Sequence, residues 1–462
     1  MTETIKQTLR DSKIARWSIL FLISLTMASG YFFNDILSPL EELLISSLKW
    51  DGDQYGVYVG QYSFLNIIGF IVLGGILLDR LGIRFTGICF LSLMLMGALI
   101  KAYGLSNYFN NGGFGYEFFN SFLPKYKPSM KLATLGFALF GLGIEIVGIT
   151  ANRIIVKWYK GKELAMAMGL QMAIARLGMG CAFIFSPRIA NDVSAYKPVI
   201  FAVLILCIGL LTFLIHCIAD IKLDKGLEQE KEKSSSEKFR FADILGLIKN
   251  KGFVLITCLC VLFYSCVFPF TKFVANLFMN KYGVDAQTAG DISFILPIGT
   301  IILTPIFGGY IDKKGKGASM MMLGSILLII SHSIFTFLPG EVIFAYSAMF
   351  ILGIGFSLVP SAMWPSIPKL VNDKLLGTAY SLVFWIQNIG LWLIPMIIGR
   401  LREWSNPGVT LKKQQGIDIA YDYTNPILLL VLLAFSALIF SIFLKKADKR
   451  MGYGLENPNI IK

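Results

Sequence analysis

Charge is what this sequence has least of. Asp, Glu, Lys and Arg make up 15% of its 462 residues, while 55% are hydrophobic. A soluble globular protein of this length lacks the polar surface to cover so many apolar atoms, so that class is excluded. Histidine is nearly absent. His216 and His332 have no acid at relay spacing, which leaves them as packing residues. No glycine loop ends in Lys-Ser or Lys-Thr, so ATP does not drive this protein. No Ser/His/Asp set or metal-ligand cluster stands out, and the expectation is a protein that is not an enzyme and needs no cofactor or metal. Cysteine is confined to Cys89, Cys181, Cys207, Cys217, Cys258, Cys260 and Cys266, all in apolar runs. That excludes a structural disulfide between outer loops, and the close pair at 258 and 260 falls on different helix faces, unlike a metal pair.

What is present is a series of long apolar runs. A helix needs roughly 20 residues to cross the hydrocarbon of a bilayer. Hydropathy predicts twelve spans at about 17–45, 55–78, 84–104, 131–157, 163–189, 197–220, 251–280, 287–311, 317–338, 341–369, 375–401 and 426–446. The polar, basic stretch before the first run is followed by too long an apolar segment for a cleavable signal. The net charge of +13 does not imply nucleic acid, because it is unevenly placed. About 27 of the 42 Lys and Arg fall on one side of the spans and about 12 on the other. That bias places both termini in the cytoplasm of an inner or plasma membrane. The partners expected are a lipid bilayer and a small-molecule substrate, with the protein acting as a monomer.

The chain divides into a first six-helix half (1–220), a mixed-charge linker (221–250), a second six-helix half (251–446) and a tail (447–462). Within the linker, Phe239 to Leu247 reads either as an amphipathic surface helix or as solvated chain. Two long outer loops, 105–130 and 402–425, read either as lids or docking sites or as plain solvated connections.

One loop appears in both halves. The first copy runs Gly74-Gly75-Ile76-Leu77-Leu78-Asp79-Arg80-Leu81-Gly82-Ile83-Arg84. The second runs Gly308-Gly309-Tyr310-Ile311-Asp312-Lys313-Lys314-Gly315-Lys316, one residue shorter between the glycine pair and the acid. An acid at a cytoplasmic helix end can face the positive N-terminus of a neighbouring helix, and the cations after it can pair with acids across the boundary between halves. Asp79, Arg80, Arg84 and Asp312 are therefore candidate gate residues, with Asp79 the stronger acid candidate. Simple anchoring of a tight turn is the plainer reading.

This loop resembles the signature of the major facilitator superfamily, which implies an all-α membrane protein of twelve helices in two pseudo-symmetric halves around a cavity open to alternate sides. A narrower resemblance rests on Lys157-Trp158-Tyr159-Lys160-Gly161-Lys162-Glu163-Leu164, Ala175-Arg176-Leu177-Gly178, Phe268-Pro269-Phe270, Met363-Trp364-Pro365-Ser366, Leu376-Gly377-Thr378-Ala379-Tyr380 and Ile386-Gln387-Asn388-Ile389-Gly390. Together these are similar to the branch containing the animal lysosomal dipeptide uniporter. That resemblance implies passive, uncoupled carriage of dipeptides. The first span lacks the Glu-x-x-Glu-Arg cluster of proton-coupled peptide transporters. The residues before Ile14 hold no acidic dileucine, unlike the animal relative, so the expected location is a bacterial inner membrane.

A dipeptide is a zwitterion, so its site needs a buried acid and a buried base. Charge inside a membrane is costly enough to mark function by default. Glu145 in the fourth span and Arg176 in the fifth lie at matching depth on either side of one turn. In the resembling family these positions bind the ligand ammonium and carboxylate; a permanent Glu145–Arg176 salt bridge is the structural alternative. Asp35 and Lys272, in the first span of each half, read either as an outer gate pair or as contacts to the ligand termini. Arg153, two turns after Glu145, reads as an inner-gate contact or a snorkelling cation. Tyr31, Phe270, Trp364, Gln387 and Asn388 are candidate pocket residues, with Phe268 and Trp385 as further aromatics. The functional expectation is a carrier of dipeptides or similar zwitterions by alternating access. The alternatives are a proton-coupled transporter of organic anions or drugs, and a transport-dead sensor.

Overall fold

The computed structural model describes Leu9 and residues 11–159, 163–227, 246–372 and 375–458. Most of the linker lies outside these residues, including nearly all of the segment at Phe239 to Leu247 where a surface helix was one reading. No strand occurs among the described residues. The long helices are α1 (Lys13–Asp35), α2 (Gly52–Ile67), α3 (Phe70–Leu105), α4 (Pro128–Tyr159), α5 (Leu164–Ala190), α6 (Tyr196–Leu227), α7 (Lys251–Tyr282), α8 (Ala286–Ser293), α9 (Ile295–Lys314), α10 (Gly317–Phe337), α11 (Val342–Leu370), α12 (Leu376–Ser405) and α13 (Thr424–Met451).

Their starts follow local chemistry. Ser12, Asp51, Asn250 and Asp285 each place a side-chain oxygen on a free amide of the first turn, at α1, α2, α7 and α8. The Asp285 carboxyl accepts from Gln287 N and Thr288 N at 2.8 and 3.0 Å. Those amide bonds hold its pKa below the usual carboxylate range.

Eleven stretches among the described residues are long and apolar enough to cross a membrane. The second expected crossing, 55–78, is not one of them. It is divided at Gly69 (φ 101°), which leaves α2 with 16 residues and joins the remainder to the third crossing as α3. Helix α3 then bends at Gly82, whose φ of 78° no β-carbon-bearing residue adopts cheaply. In the second half the matching crossing is divided at Phe294 and turns at Gly315 (φ 73°). In both signature copies the left-handed glycine stands three residues after the acid, Asp79 to Gly82 and Asp312 to Gly315. The residue missing from the second copy therefore belongs to the helix before the turn, and the turn itself is preserved.

The last helix runs on to Met451, beyond the expected end at 446, and the chain after it packs back on the bundle. Lys316 N and Gly317 N donate to the carbonyls of Glu456 and Leu455. The Glu456 carboxylate accepts from Ser319 N and Ser319 Oγ, both at 2.7 Å, at the start of α10. An acid thus meets a helix N-terminus, where the helix dipole favours negative charge.

The two halves meet along two related seams, α2 against α12 and α5 against α8 and α9. The first seam is close-packed through Gly52, Gly56 and Gly60. A β-carbon on Gly56 would stand 2.4 Å from the Pro395 carbonyl oxygen, and one on Gly60 2.4 Å from that of Trp392. Small residues at this spacing let membrane helices approach closely.

Candidate functional site

Two neighbouring antiparallel helices carry an acid and a base to one depth. Glu145 precedes the end of α4 at Tyr159, and Arg176 follows the start of α5 at Leu164. At 1.5 Å per residue each lies roughly 20 Å from those ends, which face the linker side. Both are half-buried. Glu145 Oε1 accepts a 2.7 Å hydrogen bond from the Tyr62 hydroxyl of α2. Among the described residues no ion pair joins Glu145 to Arg176, so the permanent salt bridge is not formed in this state. Instead the Arg176 guanidinium lies 4.8 Å from the Phe356 ring centroid of α11, in the other half. Tyr31 of α1 is within electrostatic reach of Arg176, Glu145 and Asp35.

The second half answers these charges with rings. Phe356 meets Phe268 edge-on at 5.5 Å, and Phe268 stacks on Tyr264 at 5.4 Å. Trp364 donates its indole N–H to the Tyr264 hydroxyl at 3.0 Å and stacks on Phe384 at 4.7 Å. The Tyr380 hydroxyl donates to the Trp364 carbonyl at 3.1 Å. Charged side chains of the first half thus face aromatic side chains of the second, a combination suited to a small ligand of mixed charge and apolar character.

Other candidates lie elsewhere. Phe270 is buried against His332 and Phe335 of α10, with both ring centroids at 5.1 Å, and so belongs to the packing of its own half. Its position two residues after Phe268 turns it to another face of α7. Gln387 is buried and accepts from Cys260 Sγ at 3.4 Å, which ties α12 to α7. Asn388 donates to the Phe384 carbonyl of its own helix, and its Oδ1 is buried without a partner.

Beyond these residues, on the side away from the linker, the halves are tied together. Lys272 Nζ meets Asp35 Oδ1 at 2.7 Å and the Asn34 carbonyl at 2.9 Å. This ion pair joins α1 to α7 across the halves. Farther out, Arg402 and Glu41 form a fully buried pair at 2.5 Å, with Arg402 also donating to the Tyr423 hydroxyl at 3.0 Å. Lys413 pairs with Glu42, and Arg188 grips Asp291 with two bonds of 2.9 and 2.8 Å.

The linker side differs. Asp79 pairs with Arg153, and Arg84 reaches Asp224 at 2.8 Å and Asp220 at 3.6 Å. Lys157 joins the same two acids, Asp220 at 2.8 Å and Asp224 at 2.6 Å. All of these lie on α3, α4 and α6, the last of which runs past residue 220 into the linker. Arg80 is exposed, and Asp312 lies within electrostatic reach of Lys369. Among the described residues no ion pair of Asp79, Arg84, Arg153 or Lys157 reaches the second half, while Trp385 Nε1 of α12 donates across the halves to the Ile67 carbonyl at the end of α2, at 2.7 Å. Among the described residues the signature cation Arg84 pairs with acids of α6 and not across the boundary. Among the described residues, the ion pairs that join the halves lie on the far side.

The sequence matches the family model described as Major Facilitator Superfamily over residues 20–395. The chain belongs to the Major Facilitator Superfamily. Within it, the chain is 28% identical to the lysosomal dipeptide transporter MFSD1 of Mus musculus over 399 residues, covering 84% of this chain and 80% of that protein. Against the Bos taurus protein the identity is 29% over 401 residues, with the same coverage. The fold is similar to crystal structures of the nucleoside transporter NupG (TM-score 0.67, 15% identity, 93% of this chain and 99% of that one). It is similar also to a bacterial homologue of the human lysosomal transporter Spinster, inward-facing and unoccupied (TM-score 0.70, 15% identity, 95% and 98%).

Several parts of this facilitator escaped sequence reasoning. Tyr62, the hydrogen-bond donor to Glu145, carries no signal beyond being aromatic. Arg402 and Glu41 lie where an outer loop and a span end were expected, so their burial is invisible to hydropathy. The Gly52-x-x-x-Gly56-x-x-x-Gly60 spacing is visible and marks the close seam. Lys101 is fully buried near the far end of α3, and only its place in the tertiary packing reveals that.

Proposed function

We propose that this facilitator carries dipeptides or similar small zwitterions across its membrane by alternating access, without coupling to another ion. The observation that supports this most is the unpaired state of Glu145 and Arg176. Both stand at one depth on neighbouring helices, without an ion pair between them. An acid for an ammonium and a planar fork for a carboxylate are what a zwitterion requires. Glu145, with Tyr62 and Tyr31 beside it, takes the ligand ammonium. Arg176 takes the carboxylate, and Tyr264, Phe268 and Trp364 take the side chains. The resemblance to the MFSD1 proteins, which carry the name dipeptide transporter, points the same way.

Asp79 and Asp312 with their neighbouring cations serve as linker-side gates, and Asp35 with Lys272 as the far-side gate. The two six-helix units, 1–220 and 251–446, move as halves about the site, and one copy of the chain suffices. The Lys and Arg bias supports a cytoplasmic linker side. The curated relatives are lysosomal proteins of animals, which does not support the expected bacterial inner membrane; what stands is an integral multi-pass membrane protein.

The test is thermal stabilisation of the purified protein by a panel of dipeptides, with Glu145→Gln and Arg176→Ala alongside. Upward shifts with several dipeptides, lost in both variants and absent with free amino acids, are expected. Shifts only with organic anions, needing Arg176 alone, would overturn the reading. Uncoupled transport is tested in proteoliposomes, where collapsing the pH gradient is expected to leave the flux unchanged.

A further inference from the structure

Lys101 has no place in the candidate site and no polar partner. It sits one turn from the far-side end of α3, its side chain is fully buried, and its ammonium makes no hydrogen bond. Three rings of its own half enclose it: Phe33 at 4.3 Å, Phe137 at 4.7 Å and Tyr58 at 5.4 Å. Such faces attract a cation, but they do not replace the hydrogen bonds an ammonium gives up on leaving water. The charges it feels are those of Asp35 and Lys272.

Those two residues belong to different halves. Asp35 shares the first half with Lys101, on α1, while Lys272 reaches over from α7. Asp35 is 1% exposed and is fixed by Asn34 Nδ2 at 2.9 Å and Ser38 Oγ at 3.4 Å, both from its own half. When the far side opens, Lys272 leaves with the second half and Asp35 stays. A carboxylate stranded in apolar surroundings is costly, and that cost would oppose opening.

We infer that Lys101 is the exchange partner of Asp35. With the far side closed, Lys272 holds Asp35 and Lys101 waits in the ring box; with the far side open, Lys101 takes over the carboxylate that Lys272 releases. Asp35 then has a cation in both states, and the two states stay close in energy, as a carrier requires. Lys101 is a positioning residue in this scheme and touches no ligand, so the inference does not rest on the identity of the substrate.

The experiment reads the state, not transport. Spin labels are placed on the exposed far-side positions Asn111 and Glu341, one in each half, in a cysteine-free protein, and the distance distribution is measured without ligand. Lys101→Met is expected to lose the long-distance, far-side-open population at least tenfold, because Asp35 would have no partner there. Lys101→Arg is expected to retain it. The deciding variant is Lys101→Met combined with Asp35→Asn. With no carboxylate to strand, the double variant is expected to match Asp35→Asn alone. An unchanged distribution in Lys101→Met overturns the inference, and so does a Lys101→Met defect that persists with Asn at position 35. Should Lys101→Met not fold, Lys101→Gln, which keeps a polar head among the rings, is read against the same outcomes.

Discussion

Asp35 and Lys272 meet at 2.7 Å across the two halves, with Asp35 one helical turn beyond Tyr31 on α1. Tyr31 in turn feels Glu145 and Arg176. Tyr31 thus lies within electrostatic reach of both the pair across the halves and the candidate site. Lys272→Met leaves Asp35 buried without its present partner. The far-side-closed state is expected to lose about 3–5 kcal/mol relative to the open one, read as a shift of the label distance toward the open population. An unchanged distribution would show that the pair does not hold the gate.

Glu145 and Arg176 are expected to act on opposite ends of a ligand. Glu145→Gln removes a charge-assisted bond of about 1.5–3 kcal/mol, so zwitterion affinity falls roughly ten- to hundredfold. Dipeptides with a blocked N-terminus should be indifferent to that change and still sensitive to Arg176→Ala. Calorimetric titration of both ligand types against both variants checks the assignment. Equal losses for the blocked ligand in each would refute it.

The α2–α12 seam closes only because Gly56 presents no side chain to the Pro395 carbonyl, which a β-carbon would approach to 2.4 Å. Backbone on both sides cannot yield without parting the helices. Gly56→Leu is therefore expected to hold the halves apart on the far side, and reagents entering from that side should reach a cysteine introduced at Tyr31. No gain in labelling would mean that the seam can reform around the added side chain.

Arg402 and Glu41 lie fully buried, and Glu41 Oε2 has no hydrogen-bond partner. Removing one partner strands the other, so Arg402→Met is expected to cost about 3–5 kcal/mol. Glu41→Leu with Arg402→Met should cost markedly less than the two single losses added together. Melting of the four proteins closes this cycle, and simple additivity would show the two charges to be independent.

The Asp79–Arg153 pair is half exposed, at 45% and 53% for its side chains. Exposed pairs are worth about 0–1 kcal/mol. Asp79→Ala should therefore hardly move the melting temperature of the state seen here. Its effect is expected on exchange between states, as a slower flux in proteoliposomes. A large drop in thermal stability would instead make Asp79 a structural residue.

Much of this molecule follows from its sequence taken alone. A bilayer fixes how many apolar residues a crossing needs, so the crossings show as runs, and any charge inside a run stands out. Glu145, Arg176, Asp35 and Lys272 were legible on that ground, and the signature loops were legible because a tight turn needs Gly82 and Gly315. Hydropathy reports depth along a helix axis. It does not report rotation about that axis or which helix lies opposite. Tertiary structure alone decided that Arg176 lies over Phe356 and not on Glu145, that Phe270 turns into its own half, and that Lys101 is sealed among rings while Arg402 is buried beneath an outer loop. It alone decided, too, that the ion pairs between the halves lie on the far side. Both states of a carrier share one sequence, and the choice between them rests on contacts between halves that no single segment contains.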